Sequence, residues 1–116
     1  MSMDSLSSLS EDDDALLLGL LRELVQADGR LSDAERAHLA KVRSAMGDDR
    51  FVRAMQAASS RFGTREALKQ AARALTDEKR QRAIFDVVRT VAASDGLTDE
   101  EQAPLRWLAS WWGIRG

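Results

Sequence analysis

The feature that most constrains this chain is a turn that occurs twice. Asp28-Gly29-Arg30-Leu31-Ser32-Asp33-Ala34-Glu35 is followed by Asp95-Gly96-Leu97-Thr98-Asp99-Glu100-Glu101, the same pattern with one loop residue fewer. In each copy glycine takes the positive φ that reverses the chain, and aspartate bonds to the turn backbone. A hydroxyl residue then stands three positions before a glutamate, a capping box that starts a helix. The similarity extends past the turns. Leu31, Leu39, Val42 and Gly47 fall on Leu97, Leu105, Leu108 and Gly113 at an offset of 66, and Leu17, Leu20, Leu21 and Leu24 fall on Ile84, Val87, Val88 and Val91 at 67. The chain therefore reads as two copies of one helix–loop–helix unit with a connecting middle.

The punctuation between these landmarks predicts about six helices and an all-α fold. Ser10 caps a first helix that begins with Glu11-Asp12-Asp13 over the positive helix end and closes near Ala27, with Arg22, Glu23 and Gln26 on its wet side. A second helix runs from the Ser32 cap to Gly47, the residue expected just past a helix end. Two shorter helices follow over Asp49–Ser59, with Phe51, Val52 and Met55 inward, and over Thr64–Leu75, with Leu68, Ala71, Ala72 and Leu75 inward. Thr76-Asp77-Glu78 opens a fifth helix, and a sixth carries Pro104 in its first turns, where a missing N–H costs little. Residues 1–9 show no periodicity and are expected to form a tail, leaving residues 10–116 as one domain. A content of 44% hydrophobic and 31% charged residues suits a globular core and excludes a disordered chain.

Other function classes lack their residues. Cysteine is absent, which removes disulfides, thiolate metal sites and thiol nucleophiles. No serine or threonine has a basic partner set for nucleophilic attack, and no phosphate-binding glycine loop is present. The single histidine, His38, reads as a solvated helix residue. The start Met1-Ser2-Met3-Asp4 lacks the basic and apolar regions of a signal peptide, and the longest apolar run, Ala15–Leu21, is far below the ~20 residues of a membrane span. A cytoplasmic, non-enzymatic protein is expected.

Charge offers two surfaces. Residues 50–89 carry 10 basic and 4 acidic side chains, although the chain as a whole has net charge −2. Arg61, Arg65, Lys69 and Arg73 recur at four-residue steps, a single stripe if they share a helix. Such a stripe suits phosphates or an acidic partner; in a mildly acidic chain without interleaved aromatics or a recognition helix, nucleic-acid binding is not expected. Trp107, Trp111 and Trp112 crowd the last helix, where Leu105, Leu108, Trp111 and Trp112 form a core face and Trp107 falls outside it.

The acidic loops admit two readings. Glycines turn, Ser32 and Thr98 cap, Glu35 and Glu101 complete the boxes, and Asp33 and Asp99 meet the helix dipole; Asp28 and Asp95 are left over. Alternatively these oxygen-rich clusters hold a hard divalent cation, though not as an EF-hand, whose ligand spacing is missing.

Ala27-Asp28-Gly29 with Leu31-Ser32-Asp33-Ala34-Glu35 and Leu39, and Ser94-Asp95-Gly96 with Leu97-Thr98-Asp99-Glu100-Glu101 and Leu105, resemble the tellurite-resistance TerB-like family over about residues 11–114. The resemblance implies a compact helical bundle whose repeats are related by a pseudo-twofold. It further implies a divalent cation, Ca²⁺ or another, held by Asp28, Glu35, Asp95 and Glu101, more loosely with Asp33 and Asp99. Association with stress-response assemblies through a protein partner is part of the same expectation. The pattern is also similar to the N-terminal module of membrane-anchored J-domain co-chaperones, but the chain has no His-Pro-Asp motif. The alternative is a protein-interaction module that uses the basic middle or the tryptophan-bearing helix, with purely structural acidic loops.

Overall fold

A helix that is apolar on every side has to be surrounded by other elements, and the segment Ala15-Leu16-Leu17-Leu18-Gly19-Leu20-Leu21 has no polar residue to turn outward. The computed structural model describes residues 9–28, 33–93 and 99–114, excluding the side chains of 25–28, 34, 35 and 99–104. It contains α1 (Glu11–Asp28), α2 (Asp33–Met46), α3 (Asp48–Arg61), α4 (Arg65–Ala74), α5 (Glu78–Ala92) and α6 (Asp99–Trp112), with no strand among the described residues. The all-α expectation is met. α1 lies at the centre, packed against α3, α4, α5 and α6, and α5 also packs against α2 and α6. Leu17, Leu20, Leu21 and Leu24 of α1 interlock with Ile84, Val87, Val88 and Val91 of α5 in one buried cluster that Val42, Leu68 and Leu108 complete. The resulting body is nearly isometric, 30 × 29 × 29 Å.

Local chemistry sets the helix ends. Ser10 Oγ accepts from the Asp13 N–H at 3.2 Å while Asp13 Oδ2 accepts from the Ser10 N–H at 3.1 Å, a reciprocal cap. Thr64 caps α4 by accepting from the Ala67 N–H, and Asp77 caps α5 by accepting from the Arg80 N–H. Gly47, at φ 91°, is the only residue between α2 and α3; a side chain there would make that corner costly. Gly113, at φ 65°, ends α6, with the Ile114 N–H returning to Ala109 O at 3.0 Å. Three buried or half-buried side chains finish the other ends. Arg22 Nη2 donates to Phe62 O at 2.6 Å, Gln81 Nε2 to Leu75 O at 2.7 Å, and Trp112 Nε1 to Ala72 O at 2.8 Å.

The structure corrects the facing read for α3 and for Glu23. On α3, Val52 and Met55 are 44% and 49% exposed, and the helix instead buries Ala54 and Ala58. Small residues win that face because α3 lies close against α1, its most extensive neighbour, and alanines permit the approach. Glu23, expected in water, is buried and pairs with Arg65 Nε at 2.5 Å. Leu9, expected in the tail, is buried as well.

The first turn of α1 holds the main charge network. Asp13 meets Arg80 through two bonds of 2.6 Å each, and Asp14 meets Arg50 through bonds of 2.6 and 2.7 Å. Both carboxylates are buried. The flanking acids stay at the surface, where Asp12 meets Arg61 at 2.6 Å and Glu11 lies 3.9 Å from Arg53. Burial pushes the Asp13 carboxyl up, but the Arg80 bonds, the Ser10 backbone and hydroxyl bonds and the Arg80 charge outweigh it and hold it below its ordinary value.

Three outcomes follow from this packing. A Cβ on Gly19 would stand 2.9 Å from Phe62 Cδ2 and from Leu68 Cδ1, whereas one on Gly63 meets nothing within 4 Å. Gly19→Ala is expected to lower stability by about 1 kcal/mol in urea titration, overpacking exceeding the gain in helix propensity, while Gly63→Ala leaves it unchanged or raises it by about 0.5 kcal/mol. Asp14→Ala leaves Arg50, whose side chain is 25% exposed, without its carboxylate. It is expected to cost about 3 kcal/mol. Asp12→Ala, at a pair 78% and 51% exposed, costs below about 1 kcal/mol. The contribution of Asp13 is complete above the unfolded carboxyl pKa of about 3.9 and disappears as pH falls through its lowered folded-state value. The stability difference between wild type and Asp13→Asn is therefore expected to narrow on acidification from about pH 6 to about pH 2.

Candidate functional site

Five of the six acidic candidates stand at the end of α1 or at the starts of α2 and α6. Asp28 is the last residue of α1, so the first helix includes the aspartate that the sequence places in the turn. Asp33 opens α2 with its side chain exposed, and Glu35 follows two residues later in the same first turn. Asp99 opens α6 and Glu101 follows in its first turn. Asp95 and the capping residues Ser32 and Thr98 lie outside the described residues, and so do the side chains of Asp28, Glu35, Asp99 and Glu101. Among the described residues no three Asp, Glu, His or Cys side chains gather as a metal set would.

The basic middle does not form one stripe. Phe62-Gly63-Thr64 ends α3 and starts α4, so Arg61 stands on one helix and Arg65, Lys69 and Arg73 on the next. Each has a partner inside the fold. Arg61 holds Asp12, and Arg65 holds the buried Glu23. Lys69 Nζ sits 5.7 Å from the Trp107 ring centroid and Arg73 Cζ 5.2 Å from that of Trp111, within cation–π range. Arg73 also approaches Glu66 at 3.4 Å.

The tryptophans divide along the same line. Trp112 is buried with Leu105 and Leu108, as the core face requires. Trp111, expected on that face, is instead half-buried beside Trp107, the two ring centroids 4.9 Å apart at 40°. The reason is angular: positions 107 and 111 are one turn apart on the flank of α6 that meets α4, and the cations of α4 cover them there.

His38 also departs from the sequence reading. It is half-buried on α2, and its Nδ1 lies in the interior without a hydrogen-bond partner. The charged cluster at the start of α1 is the functional-looking feature that sequence reading missed. Its signal was present as four consecutive acids in one turn, of which a helix dipole accounts for the exposed members and not for buried Asp13 and Asp14.

Clefts open beside these elements. One of about 90 Å³ lies between α1 and α3, lined by Glu11, Asp14, Arg50, Arg53, Ala54, Ala57 and Arg61. A second, of about 430 Å³, opens over Leu16, Phe62 and Leu75 between Arg61 and Arg80. A third, of about 620 Å³, is a shallow trough between α5 and the end of α6. No helix among the described residues is long and apolar enough to cross a membrane. No protein-family model, curated protein or solved structure matches this chain.

Proposed function

We propose that the chain is a non-enzymatic, TerB-like binding or scaffold domain whose two Asp-Gly loops hold a divalent cation, with Ca²⁺ or a similar hard ion as the occupant. In this reading the two helix–loop–helix units are related by a pseudo-twofold, and cation occupancy shapes the surface that a protein partner of a cytoplasmic stress-response assembly meets.

The observation that carries the reading is the equal burial of matched positions. Leu17 and Ile84, Leu20 and Val87, Leu21 and Val88, and Leu24 and Val91 are all within 2% of full burial, as are Val42 and Leu108. Gly47 and Gly113, matched at the ends of the units, both take positive φ. On the pseudo-twofold reading, units that bury equivalent faces are expected to carry their acidic turns to equivalent places. Engagement of the basic residues is a second support. Arg65, Lys69 and Arg73 face Glu23, Trp107 and Trp111 of their own chain, which draws the basic surface of α4 away from the alternative of a partner-binding stripe.

Hard cations prefer oxygen donors, and affinity rises with the number of carboxylates. Isothermal titration of the full chain with Ca²⁺, Mg²⁺ and Mn²⁺ tests the proposal. Wild type is expected to release or absorb heat with at least one of them, and the Asp28→Asn/Asp95→Asn variant to bind it more than about tenfold more weakly. Absence of binding by wild type sinks the cation reading.

A further inference from the structure

The seam between α1 and α3 carries chemistry that the acidic loops do not explain. On α3, Arg50, Arg53, Ala54, Ala57 and Arg61 share the face turned toward the start of α1, since separations of 3, 4, 7 and 11 residues return to one side of a helix. They line the cleft of about 90 Å³, with Glu11 and Asp14 opposite. That volume suits one small ion with its water and is far below the size of a drug-like pocket. Its floor is alanine, so no bulky side chain separates a ligand from the guanidinium groups.

The three arginines are held very differently. Arg50 is fixed on Asp14 by two short bonds, and its Nη2 also reaches Leu9 O at 3.5 Å. Arg61 engages Asp12 through Nη1 alone. Arg53 comes no closer than 3.9 Å to Glu11, and its Nε donates a long 3.4 Å bond to Asp49 O. Glu11 and Asp12 are exposed, and exposed ion pairs exchange at little cost. A guanidinium has five N–H donors in a planar fork, so two loosely tethered forks face one small space, backed by Arg50, whose charge Asp14 already answers.

We infer that this cleft binds a tetrahedral oxyanion, phosphate or the phosphate group of a small monoester. Arg53 and Arg61 are the forked donors, the Arg50–Asp14 pair the fixed wall behind them, and Glu11 and Asp12 internal competitors that the ligand displaces. A phosphate monoester carries nearly two negative charges at neutral pH and three strong acceptor oxygens, so it outcompetes a single carboxylate for paired forks. The site uses none of the loop residues and stands whether or not those loops hold a cation.

The test is titration of the full chain with inorganic phosphate and, separately, with phosphoserine, followed by ¹H–¹⁵N chemical shifts at ionic strength held constant with sodium chloride. Saturable shifts confined to the start of α1 and to α3 are expected, and the tighter of the two ligands identifies the source. Removing the competitors in Glu11→Gln/Asp12→Asn is expected to tighten binding by up to about fivefold, the worth of an exposed pair. Arg53→Gln/Arg61→Gln is expected to abolish binding, and so is Ala57→Leu, which fills the floor; far-UV circular dichroism and urea midpoints establish that each variant is folded. Three results overturn the inference: no saturable response to either ligand in wild type and in Glu11→Gln/Asp12→Asn, unchanged binding in folded Arg53→Gln/Arg61→Gln, or acetate binding as tightly as phosphate.

Discussion

Everything in this fold is arranged around a helix that is apolar on all sides in its middle and carries four consecutive carboxylates in its first turn. Burying the middle of α1 drags Asp13 and Asp14 out of water, and unpaired charges there would cost more than the nearby leucines contribute. Arginines on α3 and α5 resolve the conflict. Arg50 and Arg80 grip the two buried carboxylates with two bonds each, while Arg53 and Arg61 stand against the exposed pair. Those contacts fix how α1 is rotated and how α3 and α5 sit beside it, because a two-bond grip tolerates little change of angle. A buried ion pair adds little net stability over an apolar substitute. Its effect here is to specify one arrangement of helices that alanines and leucines alone would leave less defined.

The same network changes what the basic middle of the chain means. Ten basic residues in one stretch suggest a surface awaiting an anionic partner, yet many of them meet the chain's own acids or tryptophans. Arg65 reaches across to Glu23, and Lys69 and Arg73 lie over Trp107 and Trp111, so α4 is joined to α1 on one side and to α6 on the other. Charge asymmetry along the sequence thus becomes charge pairing in space. In the small cleft between α1 and α3, two of the three arginines, Arg53 and Arg61, are paired with exposed carboxylates.

Much of the helix pattern was legible. Ser10 caps as read, Thr64 and Asp77 stand at the helix starts that the sequence marks and prove to be their caps, and Gly47 and Gly113 close helices with positive φ. These are interactions within a few residues, so a linear reading contains all their participants. The facing of α3 was not legible. Hydrophobicity alone turns Val52 and Met55 inward, but the close approach of α1 favours Ala54 and Ala58, and packing distance is not written in a local pattern. For the candidate loops, the sequence supplied the six acids and set Asp33, Glu35, Asp99 and Glu101 at helix starts, whereas Asp28, read as part of the turn, closes α1.

By itself the sequence determined the class of fold, the number of helices, most of their ends and the duplication of the Asp-Gly turn, since periodicity, capping and glycine conformation act over a single turn or loop. Only the tertiary structure decided which charges are buried and what answers them. Asp13 and Arg80 are 67 residues apart, Asp14 and Arg50 are 36 apart, and Lys69 and Trp107 are on different helices. Their meeting depends on how whole helices cross, and that is set by the shape of the entire core.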